Sequence, residues 1–406
     1  MIVTFTPAQL SGNIKAPPSK SMGHRMLICA GLASGDSVVR GISDSEDMKA
    51  TLDLLSAMGA TCEKVGDVVY IRGTDPRLAS PDLPLNCREC GSTLRFFIPL
   101  CLLSDAPMTL IGSKRLMERP LGVYEKLCAE QGLLWQSNPQ DHSLTVQGRL
   151  RGGDITLRGD VSSQFITGLL LALPLCDEDS ILRIIPPLES RPYIAMTLAA
   201  MATFGVRATW TDAFTLTIKG GQSYTATSAE VEGDYSNAAF FDALPLLGHD
   251  VTVTGLDPDS LQGDKAYLRF YPQLMAGAPT PDISDCPDLG PVLMALSASL
   301  HGATFTGTRR LRIKESDRAV AMAEELCKFG VSVTVEEDTV TVTPSDFHAP
   351  DAVLCGHNDH RIVMALCTLL VNTGGTLAGA EAVRKSLPDY FELLTSLGAR
   401  LELTEG

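Results

Sequence analysis

Six apolar runs punctuate the chain, and each follows a short polar stretch. Met26–Ala30 follows Ser19-Lys20-Ser21-Met22-Gly23-His24-Arg25, Leu94–Leu103 follows Gly91-Ser92-Thr93, and Phe165–Leu173 follows Ser162-Ser163-Gln164. Ala238–Leu247 follows Tyr235-Ser236-Asn237, Leu289–Leu300 follows Pro287-Asp288, and Ile362–Leu370 follows Asn358-Asp359-His360-Arg361. Taking Ser21, Ser92, Ser162, Ser236, Asp288 and Asp359 as markers, the spacings are 71, 70, 74, 52 and 71 residues. A recurring period marks a duplicated supersecondary unit. Phe165–Leu173 and Val292–Leu300 are apolar all round, which predicts helices buried on every side.

The remainder of each unit recurs as well. A second helix ending in glycine is predicted at Leu52–Gly59, Tyr124–Gly132, Ile194–Gly205, Ala319–Gly330 and Phe391–Gly398. Alternating strands follow at Thr61–Val65 with Val68–Ile71, Val206–Thr211 with Thr215–Ile218, and Val331–Val335 with Val340–Thr343. The unit reads β-α-β-α-β-β. The fourth copy lacks room for its hairpin, and the sixth ends after one strand, Arg400–Leu403. Six units predict an α/β protein of two domains with three units each. A chain of 406 residues is in any case too long for one core. Six helix N-termini, each with unpaired N–H groups and a positive dipole end, are expected to converge on bound anions.

Net charge is −15, which argues against nucleic acid and anionic membranes as partners. The longest apolar stretch, Phe165 to Cys176, carries Thr167 and Pro174 and is too short to span a bilayer. Met1 to Lys20 shows no basic leader followed by an apolar stretch, and the eleven cysteines are an odd number. Both observations point to a reducing cytoplasm. Cys87 and Cys90 form a C-x-x-C without a second ligand pair, and buried thiols at a helix start are the favoured reading. His357-x-x-His360 has no third ligand at a recognisable spacing, so a helix-start hydrogen-bonding role is favoured over a metal.

Cations gather at the repeat-equivalent positions. Lys20 and Arg25 flank the first buried run, Arg95 lies in the second, and Arg361 opens the sixth. Lys314 and Arg318 stand four apart, which suggests an anion held between them or a solvated face paired with Glu315 and Asp317. Asp288 after Pro287 is open to two readings, a helix cap or a functional carboxylate.

The ordered set Pro18-Ser19-Lys20-Ser21-x-x-x-Arg25, Gly91-Ser92-Thr93-x-Arg95, Glu118-Arg119-Pro120, Gly159-Asp160-x-Ser162-Ser163-Gln164, Arg191-Pro192-Tyr193, Lys314-Glu315-Ser316-Asp317-Arg318, Asn358-Asp359-His360-Arg361 and Pro388-Asp389-Tyr390-Phe391 resembles the 5-enolpyruvylshikimate-3-phosphate synthase family of enolpyruvyl transferases. The motifs run from residue 18 to residue 391. The resemblance implies an inside-out α/β barrel architecture, two domains of three βαβαββ repeats. Residues 1–14 would join 230–406 in one domain, and residues 15–229 would form the inserted one. It implies transfer of the enolpyruvyl group of phosphoenolpyruvate to the 5-hydroxyl of shikimate 3-phosphate, with no metal or organic cofactor. The chain is expected to be a cytoplasmic monomer. By motif position, Ser21, Arg25, Ser162, Ser163, Gln164, Ser190, Tyr193, Asp288 and Lys314 would hold shikimate 3-phosphate. Gly91, Arg119, Gln164, Arg318, Arg361 and Lys385 would hold phosphoenolpyruvate, and Lys20 would touch both. Asp288 would take the hydroxyl proton, Glu315 would protonate the methylene carbon, and Lys20 would assist the chemistry. Glyphosate would compete with phosphoenolpyruvate.

Two positions depart from the family pattern. Glu89 stands where many members have Asn, with Arg88 as an expected partner, and Arg310 stands where many have Asn near the shikimate phosphate. A sister enolpyruvyl transferase acting on a uridine-diphosphate amino sugar usually carries a reactive Cys in a mobile loop. Arg115–Gly122 has none. An inactive homologue would not need both Asp288 and Glu315, and no Gly-x-x-x-x-Gly-Lys-Ser/Thr phosphate loop occurs.

Overall fold

The six apolar runs form six buried helices in the computed structural model, which describes residues 1–405. They are α1 (Lys20–Leu32), α2 (Gly91–Cys101), α3 (Ser163–Ala172), α4 (Tyr235–Asp242), α5 (Gly290–Ser299) and α6 (His360–Thr373). In α6 every residue from His360 to Val371 is buried. Polar caps start four of them. Cys90 Sγ accepts from Thr93 N, Ser162 Oγ from Gln164 N, Asp234 from Ser236 N and Asn237 N, and Asp359 from Arg361 N. No helix among the described residues is long and apolar enough to cross a membrane.

Two compact units result, residues 1–19 with 233–406, and residues 20–232. The chain passes from one to the other at Ser19/Lys20 and Glu232/Gly233. These points lie slightly later than the 14/15 and 229/230 boundaries implied by the resemblance. Pro18 bridges to Gly233, and Val231 N donates to Arg40 O, which fixes the two crossings.

Each unit has its own apolar core. In unit 20–232, the sheet of Leu85–Asn86, Met108–Ile111, Ser143–Gln147 and Leu134–Asn138 defines the repeat: first strand parallel, hairpin antiparallel. The third repeat has the same order, with Gly153–Arg158, Ser180–Ile185, Thr215–Ile218 and Ala208–Trp210. In the sixth repeat the hairpin is completed from the other end of the chain. Ile2–Thr6 pairs antiparallel with both Gly375–Ala378 and Arg400–Thr404. In the fourth repeat Ser11–Lys15 pairs parallel with Asp250–Thr254, and no hairpin follows. That repeat does have a second helix, Tyr267–Ala276, which the sequence pattern did not reveal because Pro272 interrupts it.

Close helix approach depends on Gly168. A Cβ there would stand 2.5 Å from the backbone oxygen of Arg95 and 2.3 Å from the Tyr124 hydroxyl. That hydroxyl bonds to Arg95 O at 2.9 Å and lies 3.0 Å from Phe165 O, tying α2 to α3. Gly168→Ala should therefore destabilise the protein by about 1–3 kcal/mol, the cost of overpacking against backbone that cannot rotate away. An unchanged urea midpoint would show that the helices can separate freely.

Candidate active site

The unit of residues 20–232 gathers its polar groups at the starts of α1, α2 and α3. Lys20 is the first residue of α1, and its Nζ lies 2.8 Å from Asp47 Oδ2. One turn on, Arg25 is buried, and its guanidinium is held from several sides. It donates to Ser21 O at 2.6 Å, Thr197 Oγ1 at 2.9 Å, Tyr193 O at 3.1 Å and Thr167 Oγ1 at 3.3 Å. Its charged carbon also lies 5.3 Å from the centre of the Phe96 ring. Tyr193 and Thr197 belong to helix Arg191–Thr203, whose cap residue Ser190 takes a left-handed φ of 56°. Ser21, Arg25, Ser190 and Tyr193, distant in sequence, are thus brought together.

Gln164, in the first turn of α3, is fixed at both ends. Arg95 Nη1 donates to its Oε1 at 2.6 Å, and its Nε2 donates to Ser92 Oγ at 3.0 Å. Arg95 also donates to Pro120 O at 3.1 Å, so the Glu118-Arg119-Pro120 segment is drawn to the same place. Gly91 opens α2, and a Cβ there would stand 2.6 Å from Arg119 Nη1. Glycine is needed for that arginine to lie across the helix start. A helix N-terminus with a guanidinium laid over it favours an anion. Ser162 and Ser163 sit at the start of α3 beside Gln164.

The other unit builds its site around one carboxylate. Asp288 Oδ1 accepts from Arg318 Nη1 at 2.7 Å and from Lys314 Nζ at 3.0 Å, and Arg361 Nη2 lies 3.4 Å from Oδ2. Asp288 is not the cap residue of α5, a place taken by Leu289; it sits in the turn Pro287–Leu289 that leads into that helix. Lys314 and Arg318 do not share a helix face. Lys314 is extended, and Arg318 is the first residue of helix Arg318–Cys327. The anion between them is Asp288 itself.

Arg318 is 1% exposed and joins three acids. Besides Asp288, it donates to Asp359 Oδ2 at 2.8 Å, Asp359 Oδ1 at 3.3 Å and Glu315 Oε2 at 2.8 Å. Burial opposes its charge, but Asp359, Glu315 and Asp288 outweigh that and hold its pKa above the ordinary value. Burial likewise opposes charge on Asp288, yet Arg361, Lys314 and Arg318 keep its carboxyl well below the usual range. Lys385 Nζ donates to Asn358 O at 2.5 Å, beside the start of α6.

Asp47, Asp359 and Asp264 lie beside the predicted site residues, and sequence reading assigned them no part in the site. Asp359 lay inside a recognised motif, but nothing local shows that it grips Arg318. Asp264 carried no signal at all. It is buried near Asp288 and Arg361, and burial followed by the Asp288 charge pushes its pKa up to about 6. The folded state therefore keeps a proton that the unfolded chain releases from near pH 3.8. Stability falls as pH rises through that window to about 6, and the full penalty remains above it. Asp264→Asn should stabilise the protein by on the order of 2 kcal/mol at pH 8, with the gain fading towards pH 4. Urea titrations at several pH values read this directly, and a gain independent of pH would rule the carboxyl out as its source.

The two departures resolve locally. Arg88, expected beside Glu89, instead reaches Glu46 and, at 2.7 Å, Asp53. Arg310 is buried and donates to Ser284 O. Cys87 and Cys90 are both buried, with Cys90 Sγ 3.7 Å from His24 Nε2. Among the described residues, two groups bring potential metal-ligand atoms within 4.8 Å of one another: His24, Asp47 and Cys90, and Glu324, Glu325 and His357. In the first, Asp47 already binds Lys20 and His24 Nδ1 bonds to Thr51 Oγ1 at 2.8 Å; in the second, Lys328 neutralises Glu325. His360 lies at the start of α6, its Nδ1 3.9 Å from Asp359 Oδ1.

Comparison with known proteins agrees with the motif order. The chain matches the family model described as EPSP synthase (3-phosphoshikimate 1-carboxyvinyltransferase) over residues 5–278 and 269–394. It is 38% identical to a 3-phosphoshikimate 1-carboxyvinyltransferase of Clostridium kluyveri, covering 98% of each chain. It is 35% identical to the same-named protein of Clostridium novyi, again covering 98% of each. In structure it resembles an EPSP synthase from Acinetobacter baumannii, with a TM-score of 0.80 at 22% identity and full coverage of both chains. The enolpyruvyl transferase NikO from Streptomyces tendae gives a TM-score of 0.80 at 15% identity, covering 100% of this chain and 99% of that one. These two structures share the fold; the family follows from the sequence matches along nearly the whole length, and the chain belongs to the EPSP synthase (3-phosphoshikimate 1-carboxyvinyltransferase) family.

Proposed function

We propose that the chain transfers the enolpyruvyl group of phosphoenolpyruvate to the 5-hydroxyl of shikimate 3-phosphate, releasing phosphate, in aromatic amino acid (chorismate) biosynthesis. The observation that carries the reading is the contact of Asp288 with Lys314, Arg318 and Arg361. Three cations on one carboxylate make a poor base. Anionic substrates compete for those cations, and each one drawn away raises the proton affinity of Asp288. The base would then be switched on by the substrates it serves.

In this reading Ser21, Arg25, Ser162, Ser163, Gln164, Ser190, Tyr193, Asp288 and Lys314 bind shikimate 3-phosphate. Gly91, Arg119, Gln164, Arg318, Arg361 and Lys385 bind phosphoenolpyruvate, and Lys20 contacts both. Glu315 protonates the methylene carbon, and positive charge develops on the adjacent carbon. The 5-hydroxyl oxygen bonds to that carbon while Asp288 takes its proton. Loss of a methyl proton and of phosphate then restores the double bond. A positioned acid or base of this kind contributes roughly 10²–10⁴ in rate. Glyphosate would compete with phosphoenolpyruvate at the Gly91–Arg119 helix start.

The chain would act as a monomer in the cytoplasm. Its eleven free cysteines suit a reducing compartment, and its −15 charge disfavours nucleic acid. The test is phosphate release with both substrates and with each omitted in turn. Release is expected only with both, and release without shikimate 3-phosphate would overturn the transfer reaction.

A further inference from the structure

The turn leading into α6 contains two consecutive left-handed residues, His357 at φ 48° and Asn358 at φ 50°. Such backbone is strained for residues with a Cβ and persists only where its surroundings hold it. One side of the turn is held by Glu325, which is 1% exposed. Its Oε1 accepts from His357 Nε2 at 2.9 Å, and its Oε2 accepts from Cys355 N at 2.9 Å. Lys328 Nζ neutralises the carboxylate from 2.8 and 3.0 Å and reaches Val353 O at 3.2 Å.

The other side of the turn is the site. Asp359 grips Arg318 and caps α6 through Arg361 N at 2.9 Å, while Asn358 O accepts from Lys385. Glu325 and Arg318 lie on one helix, two turns apart. That helix therefore clamps the turn at both of its ends.

The same device recurs in the second repeat. Arg88 has φ 53° and stands two residues before the cap of α2, as His357 does before the cap of α6. Its guanidinium reaches Glu46 and Asp53, which lie two turns apart on helix Glu46–Ala57. In its repeat that helix occupies the place of Arg318–Cys327, between the buried-helix strand and the hairpin. The two units use different residues for one arrangement, a left-handed position tied by its side chain to the preceding helix. Recurrence with different chemistry indicates a requirement for the geometry of the turn.

We propose that Glu325 and His357 form a latch that sets the turn 355–359 and so positions Asp359, Arg318, Arg361 and Lys385 for phosphoenolpyruvate. This rests on the assignment of those cations to that substrate. Neither Glu325 nor His357 touches the substrate in this scheme; both are positioning residues.

His357→Gly is the cleanest test, because glycine accepts the left-handed φ without strain and the side chain removed is 22% exposed. The Michaelis constant for phosphoenolpyruvate should rise roughly tenfold, about what one lost charge-assisted hydrogen bond is worth. The constant for shikimate 3-phosphate and the turnover number should stay within about twofold, since only part of the constellation moves. His357→Gln, whose side-chain amide can donate in place of Nε2, should recover most of the loss. Glu325→Gln placed on His357→Gly should add less than it does alone, as expected for one interacting pair. A wild-type constant for phosphoenolpyruvate in His357→Gly, or equal losses for both substrates, would overturn the latch. Amide hydrogen exchange across residues 355–361 gives a readout free of substrate. It should speed up in His357→Gly and return to wild type in His357→Gln, and no change in His357→Gly would overturn the proposal. If the wild-type chain did not turn over these two substrates, the functional reading would fail while exchange still decided the latch.

Discussion

Asp288→Asn should lower turnover by about 10²–10⁴-fold while leaving the affinity for shikimate 3-phosphate unchanged or slightly tighter. The split follows from the contacts of the carboxylate. Asp288 neutralises Lys314, Arg318 and Arg361. An anionic substrate must win those cations from it. Asparagine keeps the shape, gives up the charge and leaves the cations more available. Binding then has one competitor fewer, whereas the reaction has lost its proton acceptor. Initial rates together with calorimetric titration of shikimate 3-phosphate separate the two effects. Unchanged turnover would remove Asp288 as the base, and a large loss of affinity with normal turnover would make it a binding group only.

Arg318→Met should destabilise the protein by about 3–5 kcal/mol and abolish activity, because it leaves buried carboxylates without their counter-charge. Asp359 is 0% exposed, and its two oxygens both accept from this guanidinium. Methionine fills much of the volume, so the loss would be chiefly electrostatic. Asp359→Asn in the same chain should restore part of the stability. Asparagine still caps α6 but carries no charge to strand in the interior. It should not restore activity, since the guanidinium would still be missing. Equilibrium urea unfolding of wild type, Arg318→Met and the double variant gives the comparison. If Arg318→Met proved as stable as wild type, Asp359 would have to find its compensation elsewhere.

Much of the fold was legible because burial repeats along the chain. All-apolar runs behind polar starts located the six buried helices, and glycine stops located five of the second helices. The sixth, Tyr267–Ala276, was hidden by Pro272. The completion of the last repeat by Ile2–Thr6 agrees with the short end of the sixth unit, Arg400–Thr404, but the strand order needed coordinates. The charges were harder to read. Lys314 and Arg318 looked like neighbours on a helix, but the chain extends at Lys314 and starts its helix only at Arg318. Asp288 was open to two readings, a cap or a functional carboxylate, and its three cationic partners could not be read locally. Arg88 looked like a partner for Glu89 but binds Glu46 and Asp53.

Helix positions depend on which residues along a few turns are apolar, and caps depend on side chains within three residues of a helix start. Both are local, so composition and spacing were enough to specify them, along with a six-fold repeat and a motif order that names the family. Which acid meets which base is set by distances through space between segments 30 to 73 residues apart, and in a buried setting the winning pair shifts the pKa values around it. That is why the three-cation hold on Asp288, the raised pKa of Asp264 and the Glu325–His357 tie belong to the tertiary structure alone.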